Sequence, residues 1–213
     1  MMGPSRRQLA AAFRHALATS DAAALDSAAT ELEFYRLAGG AFPEDDFDLV
    51  IKTIRRPEFA SMRGGWTLLT LFDRHRDALS PQQEGCLLKA LNEIYPHLRE
   101  DNAFFIVCEL LGRCFHNEPA FRLLEAFARL RGEMERLYIP DALEHLIRAT
   151  VGTQLARRAA ALLLTMGEDP SPHVRREARE ASRALCAEGI DLAAMVESEQ
   201  PPASARGPEP DGA

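Results

Sequence analysis

Apolar residues recur every three or four positions along most of this chain, and no segment alternates with period two. Leu9, Phe13 and Leu17 form one such stripe, Phe47, Val50, Ile51 and Ile54 another, and Val174, Ala178, Ala181 and Leu185 a third. Such spacing lines up side chains on one face of an α-helix, whereas a half-buried strand needs strict alternation. Composition points the same way. Ala (34) and Leu (28) outnumber Val, Ile and Thr together (20), and the latter lose rotamer freedom in a helix. The sequence therefore predicts an all-α protein of about ten helices.

The breaks between stripes carry recognisable end signals. Asp21 is placed to cap a second helix running to Leu37, before Gly39-Gly40. Pro43 stands at a natural first position for a third helix, with Glu44, Asp45, Asp46 and Asp48 near its positive dipole end and Pro57 stopping it. A helix over 59–78 is expected, weakened at Gly64-Gly65, so that its regular part starts at Trp66. Ser80-Pro81-Gln82-Gln83 reads as a capping box, and Pro96 kinks or ends the helix that follows. Asp101 or Asn102 caps a run from Phe104 to Phe115 that is apolar around most of its circumference and so belongs between neighbours. Asn117 caps a later helix, Thr153 begins another, and short helical pieces are expected at 132–138, 140–150 and Leu192 to Val196. Residues 1–198 read as a single helical domain. Residues 199–213, with four prolines and two glycines, read as a disordered tail.

Residues 153–187 run helix, tight turn, helix. Asp169 precedes Arg175 by six residues, Val174-Arg175 opens the second helix, and Ala178, Ala181 and Leu185 follow at helical spacing. This pattern resembles the HEAT repeat, a family of stacked helical hairpins related to armadillo repeats. The resemblance implies that Asp169 and Arg175 brace the turn and that the alanines let adjacent helices approach closely. The 103–130 pair matches only in outline, lacking the Val-Arg step and the turn aspartate. Independently of the resemblance, a hairpin of this length cannot cover its own apolar face, so neighbouring hairpins must stack. A right-handed α-solenoid of HEAT/armadillo-like hairpins is the expected architecture.

Sequence signals for chemistry are sparse. No HExxH, P-loop, GxGxxG or GxSxG motif occurs, and the six histidines are scattered without a second His at ligand spacing. Cys86, Cys108, Cys114 and Cys186 form no CxxC pair and lie in apolar helical runs, which reads as buried, reduced thiols of a cytoplasmic protein. No metal centre and no cofactor is expected. Ser5-Arg6-Arg7 faintly resembles a twin-arginine leader, but Arg14 and His15 interrupt the apolar run, which favours an ordinary first helix. No apolar stretch is long enough to span a membrane.

Charge is the remaining clue. The chain carries −7 with pI about 5.4, the reverse of the balance that duplex binding requires. Residues 21–50 hold eight carboxylates against Arg36 alone, a local −7. Glu44, Asp45, Asp46 and Asp48 are therefore candidate contacts for a basic protein partner, although a solvated helix face with favourable N-terminal charge accounts for the same residues. Arg175, Arg179 and Arg183, at i, i+4 and i+8, form a second candidate surface. The expected function is a non-catalytic protein–protein interaction module, of adaptor, inhibitor or immunity type. The alternative is a nucleic-acid enzyme similar to the HEAT-like DNA glycosylases, for which Arg157, Arg158, Arg175, Arg179, Trp66 and Asp73 are the nominated residues.

Overall fold

A computed structural model describes residues 5–19, 21–32, 44–62, 65–74 and 78–197, and every regular element among them is helical. The helices are α1 (Arg6–Thr19), α2 (Ala22–Leu32), α3 (Glu44–Ile54), α4 (Gly65–Arg74), α5 (Pro81–Ile94) and α6 (Asp101–Glu109). They continue with α7 (Glu118–Phe127), α8 (Glu133–Leu137), α9 (Ile139–Ala149), α10 (Gln154–Met166), α11 (Pro172–Ala187) and α12 (Leu192–Glu197). The all-α expectation holds. Pro43, Gly39-Gly40, the side chains of Leu9, Phe13, Leu17 and Trp66, and the 199–213 tail lie outside the described residues.

Most end signals act as their chemistry dictates. Asp21 Oδ1 accepts from the N–H groups of Ala23 and Ala24 at 2.9 and 3.1 Å, satisfying two donors that have no partner within the helix. Ser80 and Gln83 form the reciprocal capping box, and Asn117, Thr153 and Ser171 cap α7, α10 and α11. Three details differ from expectation. The N-cap of α6 is Glu100, because the Asp101 carboxylate accepts instead from the Tyr138 hydroxyl at 2.6 Å. The 59–78 stretch divides into a 3-10 turn, Pro57–Ser61, and α4, because Met62 turns extended (φ −75°, ψ 125°) and ends the first piece. Leu110–Cys114 continues α6 as a π turn, which no residue in the sequence announces.

Burial of the thiols also differs. Cys108 is buried, but Cys86 and Cys186 are exposed and Cys114 is intermediate. Cys86 precedes the buried Leu87-Leu88 pair and falls on the outer face of α5, where an apolar neighbourhood in sequence does not mean burial.

Packing follows one rule along the chain. Alternate helices touch: α1 on α3, α3 on α5, α5 on α7, α7 on α10 and α10 on α12, with α2 on α4, α4 on α6, α6 on α9 and α9 on α11 alongside. Partners lie parallel. Glu93 near the end of α5 pairs with Arg55 just past the end of α3 at 3.2 Å, and Arg148 near the end of α9 pairs with Glu188 past the end of α11 at 2.7 Å. Hydrogen bonds between side chains, or from side chain to backbone, that reach beyond the local helix recur at one offset. Asn117–Glu84, Arg136–Asp169, Tyr138–Asp101, Ser171–Glu133, Tyr95–Glu135, Arg158–Glu118, Arg148–Glu188 and Cys114–Asp73 span 33 to 41 residues. Tyr95–Cys108, at 13 residues, departs from this.

Two backbones approach closely at Gly112 in the π turn. A Cβ there would lie 2.5 Å from Ala142 Cα and 2.8 Å from its carbonyl carbon, so no side chain fits between the two backbones. Beside this crossing Tyr95, fully buried, stacks on Phe127 with ring centroids 3.7 Å apart and donates its hydroxyl to the Glu135 carbonyl at 2.6 Å. Gly112→Ala should therefore destabilise by about 1–3 kcal/mol through overpacking. Gly85→Ala, on the exposed side of α5 with nothing within 4 Å, should stabilise by roughly 0.5–1 kcal/mol through helix propensity. Thermal or urea unfolding of the two variants checks both signs.

Candidate partner-binding surfaces

Helix α3 presents the acidic residues singled out by the sequence. Glu44, Asp45 and Asp48 are exposed, and none has an ion-pair partner among the described residues; the side chain of Asp46 lies outside them. Phe47, Val50, Ile51 and Ile54 point the other way into the core, which leaves the carboxylates on the outer face. Glu44 and Asp48 line a groove of 420 Å³ between the N-terminal ends of α3 and α5, together with Phe47, Gln82, Gln83 and Cys86. Its lining mixes the apolar Phe47 and Ala78 with carboxylate and amide acceptors, which suits the stem and head of a Lys or Arg side chain.

The opposite end of the same helix pair is basic. Arg55, Arg56, His97 and Arg99, with Pro57 and Ile94, line a groove of 520 Å³ at the C-terminal ends of α3 and α5. Glu93 and Glu58 take up part of that charge, through Arg55 at 3.2 Å and Arg56 at 3.3 Å. Acid at N-terminal ends and base at C-terminal ends is the arrangement that helix dipoles favour.

The 175–183 stripe divides in two. Arg175 is half-buried, and its Nη1 donates to the carbonyl oxygens of Asp169 (2.6 Å) and Pro170 (2.9 Å). It braces the turn, but through the backbone rather than through the Asp169 carboxylate. Arg179 and Arg183 are exposed and make no ion pair among the described residues, so they alone of the stripe face solvent freely. Arg176 pairs with Glu177 at 2.7 Å and lies 3.9 Å from Glu180.

The Asp169 carboxylate belongs to a residue that sequence reading did not single out. Arg136, with its side chain 8% exposed, grips it by Nε at 2.7 Å and Nη2 at 3.0 Å, while Nη1 donates to the carbonyls of Leu130 and Gly132. Asp169 also accepts from the Ser171 N–H at 2.8 Å, and the Ser171 hydroxyl donates to Glu133 at 2.6 Å while capping α11. Burial pushes the Asp169 carboxyl up, but the hydrogen bonds from Arg136 and Ser171 outweigh it and hold the pKa below the ordinary aspartate value. The network joins α8 to the α10–α11 turn, and its role is structural.

Three of the six residues nominated for the glycosylase reading, Arg158, Arg175 and Asp73, have partners within the fold. Arg158 donates to Glu118 at 2.5 Å and stacks on the Phe121 ring at 4.7 Å, and Arg175 is held by carbonyls as described. Asp73 is exposed and accepts from the Cys114 thiol at 3.6 Å. No protein-family model matches the chain, and neither a curated protein nor a solved structure matches it.

Asp169→Asn should cost about 3 kcal/mol or more near neutral pH, because a buried guanidinium loses its charged partner. The folded-state pKa of Asp169 is depressed, so its stabilisation is present above the unfolded value of about 4 and fades as pH falls through the folded value. The gap in unfolding free energy between wild type and variant should therefore narrow below pH ~4 and stay constant above it, as urea titrations across pH would show.

Proposed function

We propose that the chain is a right-handed α-solenoid of the HEAT/armadillo kind and acts as a non-catalytic protein-binding module that receives a basic protein partner on the acidic groove between α3 and α5. The parallel packing of alternate helices and the recurrence of polar ties at offsets of 33 to 41 residues support the solenoid, since both are what stacked hairpins of that period produce. The binding assignment rests on one observation. Glu44 and Asp48, exposed and without ion-pair partners among the described residues, stand over a groove of mixed polar and apolar lining that is large enough for a long basic side chain. Unpaired surface charge of one sign accelerates the arrival of an oppositely charged partner and selects against others. An inhibitor or immunity-type protein of the cytoplasm that covers a basic active surface fits this description. Among the described residues no helix is long and apolar enough to cross a membrane.

The test is affinity capture from the native host with the wild type and with Glu44→Lys/Asp48→Lys. The wild type should retain a basic protein whose capture weakens as salt rises, and the variant should lose it. Each reversal at a helix N-terminus costs about 0.3–1 kcal/mol, so the variant remains folded and far-UV circular dichroism should be unchanged. Equal capture by both proteins would remove the groove from the interface.

A further inference from the structure

At the crossing of α6 and α9, three potential ligands converge that no motif in the sequence announced. Glu109 ends α6, and Asp141 and His145 stand one turn apart on α9. One ligand atom from each lies within 4.8 Å of the other two. His145 Nε2 is 3.8 Å from Glu109 Oε1 and 3.8 Å from Asp141 Oδ2, too far for hydrogen bonds to either. We propose that Glu109, Asp141 and His145 form a binding site for a divalent transition-metal ion of the zinc class, bridging α6 and α9.

Comparison with the other junctions favours this reading. Elsewhere, carboxylates that reach across to the next period meet a donor: Asp169 meets Arg136, Glu118 meets Arg158, Glu188 meets Arg148, Glu93 meets Arg55, Asp101 meets the Tyr138 hydroxyl and Glu133 meets the Ser171 hydroxyl. Glu109 instead faces a second carboxyl group and an imidazole. Its only cation is Arg113 on its own helix, which donates to Oε2 at 2.6 Å and leaves Oε1 turned toward Asp141 and His145. Arg148, the nearest base on α9, is already divided between Glu144 (2.6 Å) and Glu188 (2.7 Å).

The protonation states suit a metal. Burial, then hydrogen bonding to Asp141, raises the Glu109 carboxyl against the pull of Arg113. Burial lowers the His145 pKa, which keeps the imidazole neutral and its lone pair available at neutral pH. One imidazole and two carboxylates are a mixed nitrogen–oxygen set suited to Zn²⁺ or Mn²⁺, whereas calcium prefers oxygen alone. Ligand separations of about 3.3 Å follow from tetrahedral zinc, so the two pairs that His145 makes at 3.8 Å need close by only about half an ångström.

The backbone holds the halves together. Gly112 in the π turn abuts Ala142, and the cluster flanks that contact, with Glu109 three residues before Gly112, Asp141 next to Ala142 and His145 three residues beyond it. Single π turns are frequent at functional sites, where the added residue re-aims the preceding side chains. The side chains of His145 and Asp141 are 27% and 47% exposed, so an ion and its remaining water ligands have a route from solvent.

The experiment uses the full chain stripped with a chelator and titrated separately with Zn²⁺ and Co²⁺ by calorimetry and visible absorption. The expected result is one ion per chain, a Co²⁺ ligand-field band, and a Tm rise of about 5–10 °C at a hundredfold excess of Zn²⁺ over Kd. Asp141→Asn and His145→Gln should each lose the band and weaken binding at least tenfold, while Glu144→Gln, on the same helix, should keep both. Absence of one-to-one binding at micromolar metal would overturn the proposal. So would binding unaltered in both variants, or binding lost only on replacing the exposed Cys86 and Cys186 by Ser. If either ligand variant fails to fold, Glu109→Gln supplies the same comparison.

Discussion

The helices of this chain have more apolar surface than their sequence neighbours cover, and among the described residues helices further along the chain cover the rest. That constraint explains why α3 needs α5, why α9 needs α11, and why contacts that are distant in sequence fall at a nearly constant offset. The core is accordingly a seam between stacked elements: Leu68, Leu87, Leu91, Val107, Leu143 and Leu163 are all fully buried, although no single hairpin contains more than a few of them. The seam is tight where Gly112 meets Ala142, because there backbone touches backbone. Helices on both sides of that point, α4 and α7 toward the N-terminus and α10 and α11 toward the C-terminus, pack on the π turn or on α9.

Features governed by local physics were legible in the sequence. Ser80 with Gln83, and Asp21, Asn117 and Thr153, cap helices because the partner N–H lies within three residues, inside the window over which the chain can be read. The ties between periods were not legible. Asp169 was read with Arg175, six residues on, and the pair does brace the turn through a carbonyl; the carboxylate itself goes to Arg136, 33 residues back. Nothing in a single sequence distinguishes Arg136 from Arg131 or Arg129, since only the position of α8 against the α10–α11 turn makes the difference. The same applies to Glu109, whose neighbours Asp141 and His145 form an unremarkable i, i+4 pair until α6 is laid beside α9. The thiols failed for another reason. Cys86 and Cys186 lie among apolar residues but on the outward arc of their helices, and periodicity places an arc less reliably than a helix.

Parallel stacking also gives the charge pattern its meaning, because like ends of neighbouring helix dipoles then lie side by side and their partial charges add. Acidic residues along the N-terminal edge are therefore favoured whatever the protein binds. Glu84 serves α5 and Glu118 serves α7, one acid in each first turn. Both are also answered within the fold, Glu84 by Asn117 and Glu118 by Arg122 and Arg158. Helix α3 carries four acids at the same edge, of which Glu44, Asp45 and Asp48 have no such answer among the described residues. The dipole accounts for one carboxylate per helix end. The surplus at α3 stands beside a groove that can take a basic side chain, where an opposite charge arriving from another molecule would answer it.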